Sequence, residues 1–196
     1  ENPKETVPSF DTDGHGTFVA SVACGGANPE NLFIGAAPEA EMVIVKLKEA
    51  KEYLREYYFV DRDARCYQEN DLVAAVFYLQ KVQEELKRPL VICLAVGTSF
   101  GGHNGDSLLA DILDIYATVR NRCVVVGTGN EAARRHHYFN RFTDAQDMRT
   151  AEIRVGEGTQ SFAVELWSTL PNIVMVSVTS PSGERTGMIP IRLGYL

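Results

Sequence analysis

Two residues carry the clearest chemical potential in this chain. His15 lies in Asp11-Thr12-Asp13-Gly14-His15-Gly16-Thr17-Phe18-Val19-Ala20-Ser21-Val22-Ala23, bracketed by two glycines. The glycines remove Cβ atoms on either side of the imidazole, so a ligand or another backbone can approach it closely. The small and apolar residues that follow have helical spacing, with Val19, Val22 and Ala23 on one face, and Asp11 or Asp13 is a suitable cap. His15 therefore sits at the positive end of a helix, which disfavours a second positive charge and suits a general base. Asn130 closes Val124-Val125-Val126-Gly127-Thr128-Gly129-Asn130-Glu131. Its amide at a strand end can point to where negative charge develops on a tetrahedral intermediate. Each residue also has an ordinary reading, His15 as a loop histidine and Asn130 as a turn residue after glycine.

The elements that must position them follow a regular rhythm. Gly35-Ala36-Ala37-Pro38 reads as a loop, and the apolar run Met42 to Leu47 as a buried parallel strand. Lys51 to Gln68, charged and rich in tyrosine, reads as a surface insertion. An amphipathic helix is expected over Glu69 to Arg88, capped by Asn70 and stopped by Pro89. Its stripe is Leu72, Val76, Leu79 and Leu86, joined by Val73, Phe77 and Val82. Leu90 to Val96 is a second strand, closed by Gly97. A second helix is expected over Asp106 to Asn121, with Leu108, Ile112, Ile115 and Val119 on one face and Leu109, Leu113 and Tyr116 beside it. Cys123 to Val126 is a third strand. Alternating strands and helices imply a parallel sheet with right-handed crossovers, and sites in such sheets lie at the carboxyl ends of strands. Gly97 and Asn130 both fall there.

After Asn130 the pattern changes. Residues 134–150 read as a polar connector. From 151 to 196, alternating runs (Ile153 and Val155; Phe162, Val164 and Leu166; Ile173 to Val178) are separated by turns at Gly156-Glu157-Gly158 and Pro181-Ser182-Gly183. They read as the start of an antiparallel β-domain, a sandwich or jelly roll.

Composition narrows the class. The 196 residues are 45% hydrophobic with a net charge of −7, which suits a folded protein and offers no basic face for nucleic acid. No apolar run reaches the length of a membrane span, and Glu1-Asn2-Pro3-Lys4 does not open a signal peptide. Cys24, Cys66, Cys93 and Cys123 are widely spaced and read as small buried hydrophobes, leaving the compartment open.

The Gly-His-Gly-Thr-x-Val-Ala segment around His15 resembles the histidine motif of the subtilisin-like serine proteases, the subtilases. Gly35-Ala36-Ala37-Pro38-Glu39-Ala40 resembles the family's Gly-x-Ala-Pro-x-Ala segment. The strand ending in Gly129-Asn130-Glu131 resembles the one that carries the family's oxyanion asparagine. Val91 to Thr98 resembles the strand whose Ser-Leu-Gly end pairs with substrate backbone. By that register Ala95, Val96 and Gly97 form the edge of the primary specificity pocket, with Ala95 where the family usually has serine. A rival register puts Ser99-Phe100-Gly101-Gly102 at the pocket. Within the family, Gly97-Thr98-Ser99-Phe100-Gly101-Gly102-His103-Asn104-Gly105 and the pair His136-His137 are similar to segments of the clostridial spore-germination (Csp-type) proteases, whose peptidase domain is interrupted by a jelly roll.

The resemblance implies a partial subtilase peptidase domain over 1–133, a connector over 134–150 and the beginning of an inserted jelly roll over 151–196. The fold class is α/β, a subtilisin-like parallel sheet with flanking helices. It implies a serine endopeptidase parent with His15 as base and Asn130 as oxyanion donor, no cofactor, and a peptide or protein as substrate. A prodomain is a further partner of this class. An extracytoplasmic or spore-associated location follows from the same resemblance. The family's aspartate strand and its Gly-Thr-Ser-x-Ala-x-Pro nucleophile motif are not found. Gly97-Thr98-Ser99 imitates the latter, but no helix starts after Ser99. The chain is thus expected to be an inactive middle fragment of a protease. The rival reading is a catalytically dead relative that binds or signals. A nucleotide-binding domain lacks its glycine fingerprint, and a metal site of His103, His136 and His137 lacks ligand spacing.

Overall fold

A computed structural model describes residue 7 and residues 9–190. The N-terminal tetrapeptide and the last six residues of the expected β-domain lie outside them.

The first helix, α1, runs His15–Cys24, and a short one, α2, runs Glu52–Tyr57. Helix α3, Glu69–Leu86, leads into strand β1, Leu90–Leu94; helix α4, Leu108–Ala117, leads into β2, Arg122–Val126. Strands β1 and β2 pair in parallel, Leu90 opposite Arg122 and Leu94 opposite Val126. This is one parallel strand–helix–strand unit of the expected kind, with α4 in its crossover connection. The described residues end in a small antiparallel pair, β3 (Met175–Val176) with β4 (Ile189–Pro190).

The core sits between the helices and the two parallel strands. Val76 and Leu79 of α3, Ile92 of β1 and Tyr116 of α4 are buried, and Leu90, Leu94, Ile112, Leu113 and Val124 pack around them. Period two in β1 turns Ile92 inward while Val91 stays 63% exposed. Burial raises the pKa of the Tyr116 hydroxyl, partly offset by the Arg122 guanidinium. That guanidinium lies 4.7 Å over the ring and is held by Gln83 at 2.6 Å.

Several expectations need correction. Helix α3 stops at Leu86 because Lys87 is left-handed, and it is preceded by Gln68 rather than capped by Asn70. Phe77 and Leu86 of its expected stripe are more than half exposed. In α4 the buried face is Ile112, Leu113 and Tyr116, whereas Leu108 and Ile115 are about two-thirds exposed. The helix is apolar on more than one side, so periodicity alone did not single out the packed face. Residues 42–47 form no ladder among the described residues, yet Val43 and Val45 pack on the core in alternation. Burial, not pairing, is what that apolar run encodes. Val22 of α1 is 48% exposed. All four cysteines are free; Cys24 and Cys66 are half-buried, but Cys93 and Cys123 lie on the exposed face of the strand pair.

Two segments anchor the rest. Arg55 of α2 donates from Nη2 to the carbonyls of Asp61, Arg62 and Ala64 at 2.7–2.8 Å, which folds the loop after α2 around one guanidinium. Gly25 and Gly35 cross so closely that a Cβ on Gly35 would stand 2.4 Å from the Gly25 nitrogen. That crossing, with Ala36 and Ala37 donating to the carbonyls of Val22 and Ala23, fixes the far end of α1. No helix among the described residues is long and apolar enough to cross a membrane.

Candidate active site

His15 is the first residue of α1, and Gly14 before it takes φ 90°, a left-handed turn that glycine adopts without strain. Gly14 has no side chain to cap the helix, and Asp11 does the capping instead. One carboxylate oxygen accepts from the N–H groups of Asp13 and Gly14, both at 2.9 Å. The other accepts from the Thr17 N–H and hydroxyl, both at 2.8 Å. Four donors around one carboxylate, led by the Gly14 N–H, hold its pKa far below the ordinary aspartate range. Asp13, the other expected cap, pairs with Arg65 at 3.2 Å. The helical run after the histidine, from Thr17-Phe18-Val19 on, thus starts from a loop that both oxygens of Asp11 fix.

The imidazole reaches across to the strand pair. His15 Nε2 lies 3.3 Å from the carbonyl oxygen of Ala95, just beyond β1. Next to it the two strands continue in step: Gly127 donates to the Leu94 carbonyl at 3.1 Å, and a Cβ on Gly97 would meet the Gly129 Cα at 3.8 Å. Ala95-Val96-Gly97 and Gly127-Thr128-Gly129 therefore leave the sheet side by side, and Asn130 follows directly. Gly129 takes φ 79°, which turns the chain at this point. The Asn130 side chain is exposed and makes no hydrogen bond among the described residues. The backbone groups of Val96 and Gly97 likewise make none there. The structure thus brings all five expected site residues to one strand end, His15 against Ala95, and Val96 and Gly97 beside the turn that leads to Asn130, with free backbone groups at Val96 and Gly97 suited to an added strand.

The loop that follows, residues 98–105, contains Ser99-Phe100-Gly101-Gly102 of the rival pocket register and most of the segment similar to the Csp-type proteases. His103 takes φ 53° and its Nε2 lies 3.2 Å from the Ser99 carbonyl. Its ring stacks on His137 with centroids 4.3 Å apart and planes 16° from parallel. His136 instead faces Glu131, Nδ1 to Oε2 3.1 Å. Stacked rings present faces, not nitrogen lone pairs, to each other, and no group of three or more histidine, cysteine, aspartate or glutamate side chains among the described residues is arranged to hold a metal. Phe100 packs on Tyr58 with centroids 5.3 Å apart. Glu165 and Trp167, more than 60 positions away, also meet this loop. Nothing in their local sequence signals it.

The chain belongs to the subtilase family: the model for Peptidase_S8, the subtilase family, matches residues 1–186. Among solved structures it is similar to one described as the structure of the Clostridium perfringens CspB protease. The two share 27% identity with a TM-score of 0.73, over 98% of this chain and 38% of that one. The chain thus spans well under half the length of that structure's chain. No curated protein matches it.

Proposed function

We propose that the protein to which this chain belongs is a subtilisin-like serine endopeptidase, with His15 as general base and Asn130 as oxyanion donor. The observation that carries this reading is the convergence at one strand end: His15 Nε2 is 3.3 Å from the Ala95 carbonyl, and Gly97 abuts Gly129 next to Asn130. A peptide laid along Ala95-Val96-Gly97 would add a strand through the unpaired backbone groups of Val96 and Gly97. Its scissile carbonyl would then lie between an imidazole and an amide. In the reaction, His15 takes the proton of a serine hydroxyl as that oxygen attacks the carbonyl carbon. The Asn130 amide donates to the resulting oxyanion, and His15 returns the proton to the leaving amine. The serine, and the aspartate that orients the imidazole, are to come from residues outside this chain, which alone is inactive in this reading.

For the base role Nε2 must be unprotonated and face the hydroxyl. A carbonyl only accepts, so the contact with Ala95 engages Nε2 as a donor. A half-turn of the ring about Cβ–Cγ puts Cε1–H against the carbonyl and frees Nε2. The same contact favours a second reading, an inactive subtilase that binds peptides with its histidine parked on the strand.

The test is labelling of the whole protein by a fluorophosphonate, which reacts only with an activated serine. Labelling that is lost in His15→Ala supports the enzyme; no labelling of the intact protein supports the binding protein. Asn130→Ala is expected to lower turnover by about 10²–10³-fold, the usual loss for one oxyanion donor, with little change in peptide affinity.

The partners in this reading are a peptide or protein substrate and a prodomain. The antiparallel pair β3–β4 supports assigning 151–196 to the start of an inserted jelly roll after a 134–150 connector. An extracytoplasmic or spore-associated location, as in spore germination, rests on the family likeness, and fractionation of sporulating cells would test it.

A further inference from the structure

The loop over residues 98–105 leaves the Ala95-Val96-Gly97 edge directly, so its position decides what borders a peptide bound there. It contains left-handed residues at Gly101, His103 and Gly105, and it has no regular secondary structure to hold it. A glycine-rich segment of this kind has many conformations to lose. One carboxylate, from far along the chain, holds its middle. Glu165 Oε2 accepts from the Gly101 N–H at 2.8 Å and from the Trp167 indole N–H at 3.0 Å. The indole in turn lies against Gly102: a Cβ there would meet Trp167 Cε3 at 3.4 Å and the Asn104 side-chain oxygen at 2.9 Å. Gly102 thus leaves room for the ring. Phe100 on Tyr58 and His103 on His137 hold the two flanks of the same loop.

We propose that Glu165 is a positioning residue for substrate recognition, latching the Gly101-Gly102 backbone so that the loop stands as one wall of the peptide cleft beside Ala95-Val96-Gly97. The proposal rests on the peptide-binding part of the function proposed above, not on the catalytic part. A carboxylate suits the task because a charged acceptor bonds two N–H donors more strongly than a neutral one would. Segment 165–167, within the span 151–196 proposed above as the start of an inserted domain, is thereby made part of the recognition surface.

The experiment uses the whole protein, labelled with 5-fluorotryptophan, with the Trp167 line assigned by its loss in Trp167→Phe. Affinity is read as the dissociation constant of an extended peptide whose scissile amide is reduced, so that cleavage does not interfere. In Glu165→Ala the Trp167 line is expected to shift and peptide binding to weaken about tenfold. In Glu165→Gln, whose side-chain carbonyl can still accept both N–H groups, affinity should recover to within about twofold of wild type. A Trp167 line unmoved by Glu165→Ala overturns the latch. So does wild-type affinity in Glu165→Ala with the line shifted, because the loop would then move without consequence for the peptide. Failure of the fluorophosphonate to label overturns the enzyme reading alone, and a wild-type protein that binds no peptide overturns both.

Discussion

Residues 69–126 and residues 131–190 are ordered by different forces. In the first stretch, two helices and two parallel strands enclose Val76, Leu79, Ile92 and Tyr116, and the elements run for five to eighteen residues. In the second, no described residue is buried, and the regular strands are two residues long. Order there comes from polar side chains gripping nearby backbone. Asp147 accepts from the Thr143 N–H and hydroxyl and from Arg149 at 2.6–3.0 Å. The Thr186 hydroxyl accepts from the Val178 N–H, and the Ser177 hydroxyl donates to the Thr186 carbonyl. Burial is non-directional and sums over many atoms, whereas such bonds are local and each is modest in net effect. The strand-end site lies on the first kind of scaffold, and the loop beside it is held by the second.

The largest effect that would separate the two regions is a cavity. Ile92 is only 3% exposed, so Ile92→Ala removes buried methyl groups and leaves a void. It is expected to cost about 3 kcal/mol in urea unfolding. Val164→Ala, at a position 61% exposed, is expected to change stability by no more than about 0.5 kcal/mol. Equal losses at the two positions would break the comparison, since they would mean that the second region also owes its order to a buried core.

Arg55 tests an intermediate case, a polar anchor beside the packed layer. Its side chain is 14% exposed and one nitrogen serves three carbonyls. Arg55→Met keeps most of the stem but removes every donor, with an expected loss of about 2 kcal/mol. The loss should concentrate in the loop after α2, read as faster amide exchange at 61–64. Uniformly faster exchange throughout the layer would show that the anchor and the core are one cooperative unit.

The same division explains what could be read from the sequence. Strands β1 and β2 and helices α3 and α4 were legible because burial imposes a period on apolar residues, and their ends were punctuated by Pro89, Gly97 and Gly127. The strand expected over 42–47 shows the limit: Val43 and Val45 are packed as alternation implies, but pairing depends on a neighbour the run itself does not specify. The face of α4 was misread because Leu108 and Ile115 are as apolar as Ile112 and Leu113. At the site, His15 and Asn130 stand out in the sequence by local motif, whereas the contact of His15 with Ala95 spans 80 positions and is carried by no local pattern. The Glu165 bond to Gly101 spans 64 positions and obeys no period, so no window of sequence contains it.

Acid gives the smallest and most selective probe. The Thr143 N–H and hydroxyl, with Arg149 adding its charge, lower the pKa of Asp147 from the ordinary 3.8 despite some desolvation; at Asp11 four donors act in the same direction. For both groups the folded pKa is depressed. Their contribution to order is therefore complete above about pH 4, the ordinary aspartate range, and is lost as pH falls through the folded pKa. Apolar contacts at Val76 and Ile92 do not titrate. On acidification below pH 4, the Thr143 and Thr17 amide resonances should shift while that of Ile92 stays in place until global unfolding. Asp147→Asn should remove the pH response at Thr143 and leave that at Thr17, because each carboxylate bonds only its own segment. If Ile92 moved together with Thr143 in the wild type, the polar clasp would be part of the packed layer after all, and the two regions would have to be treated as one.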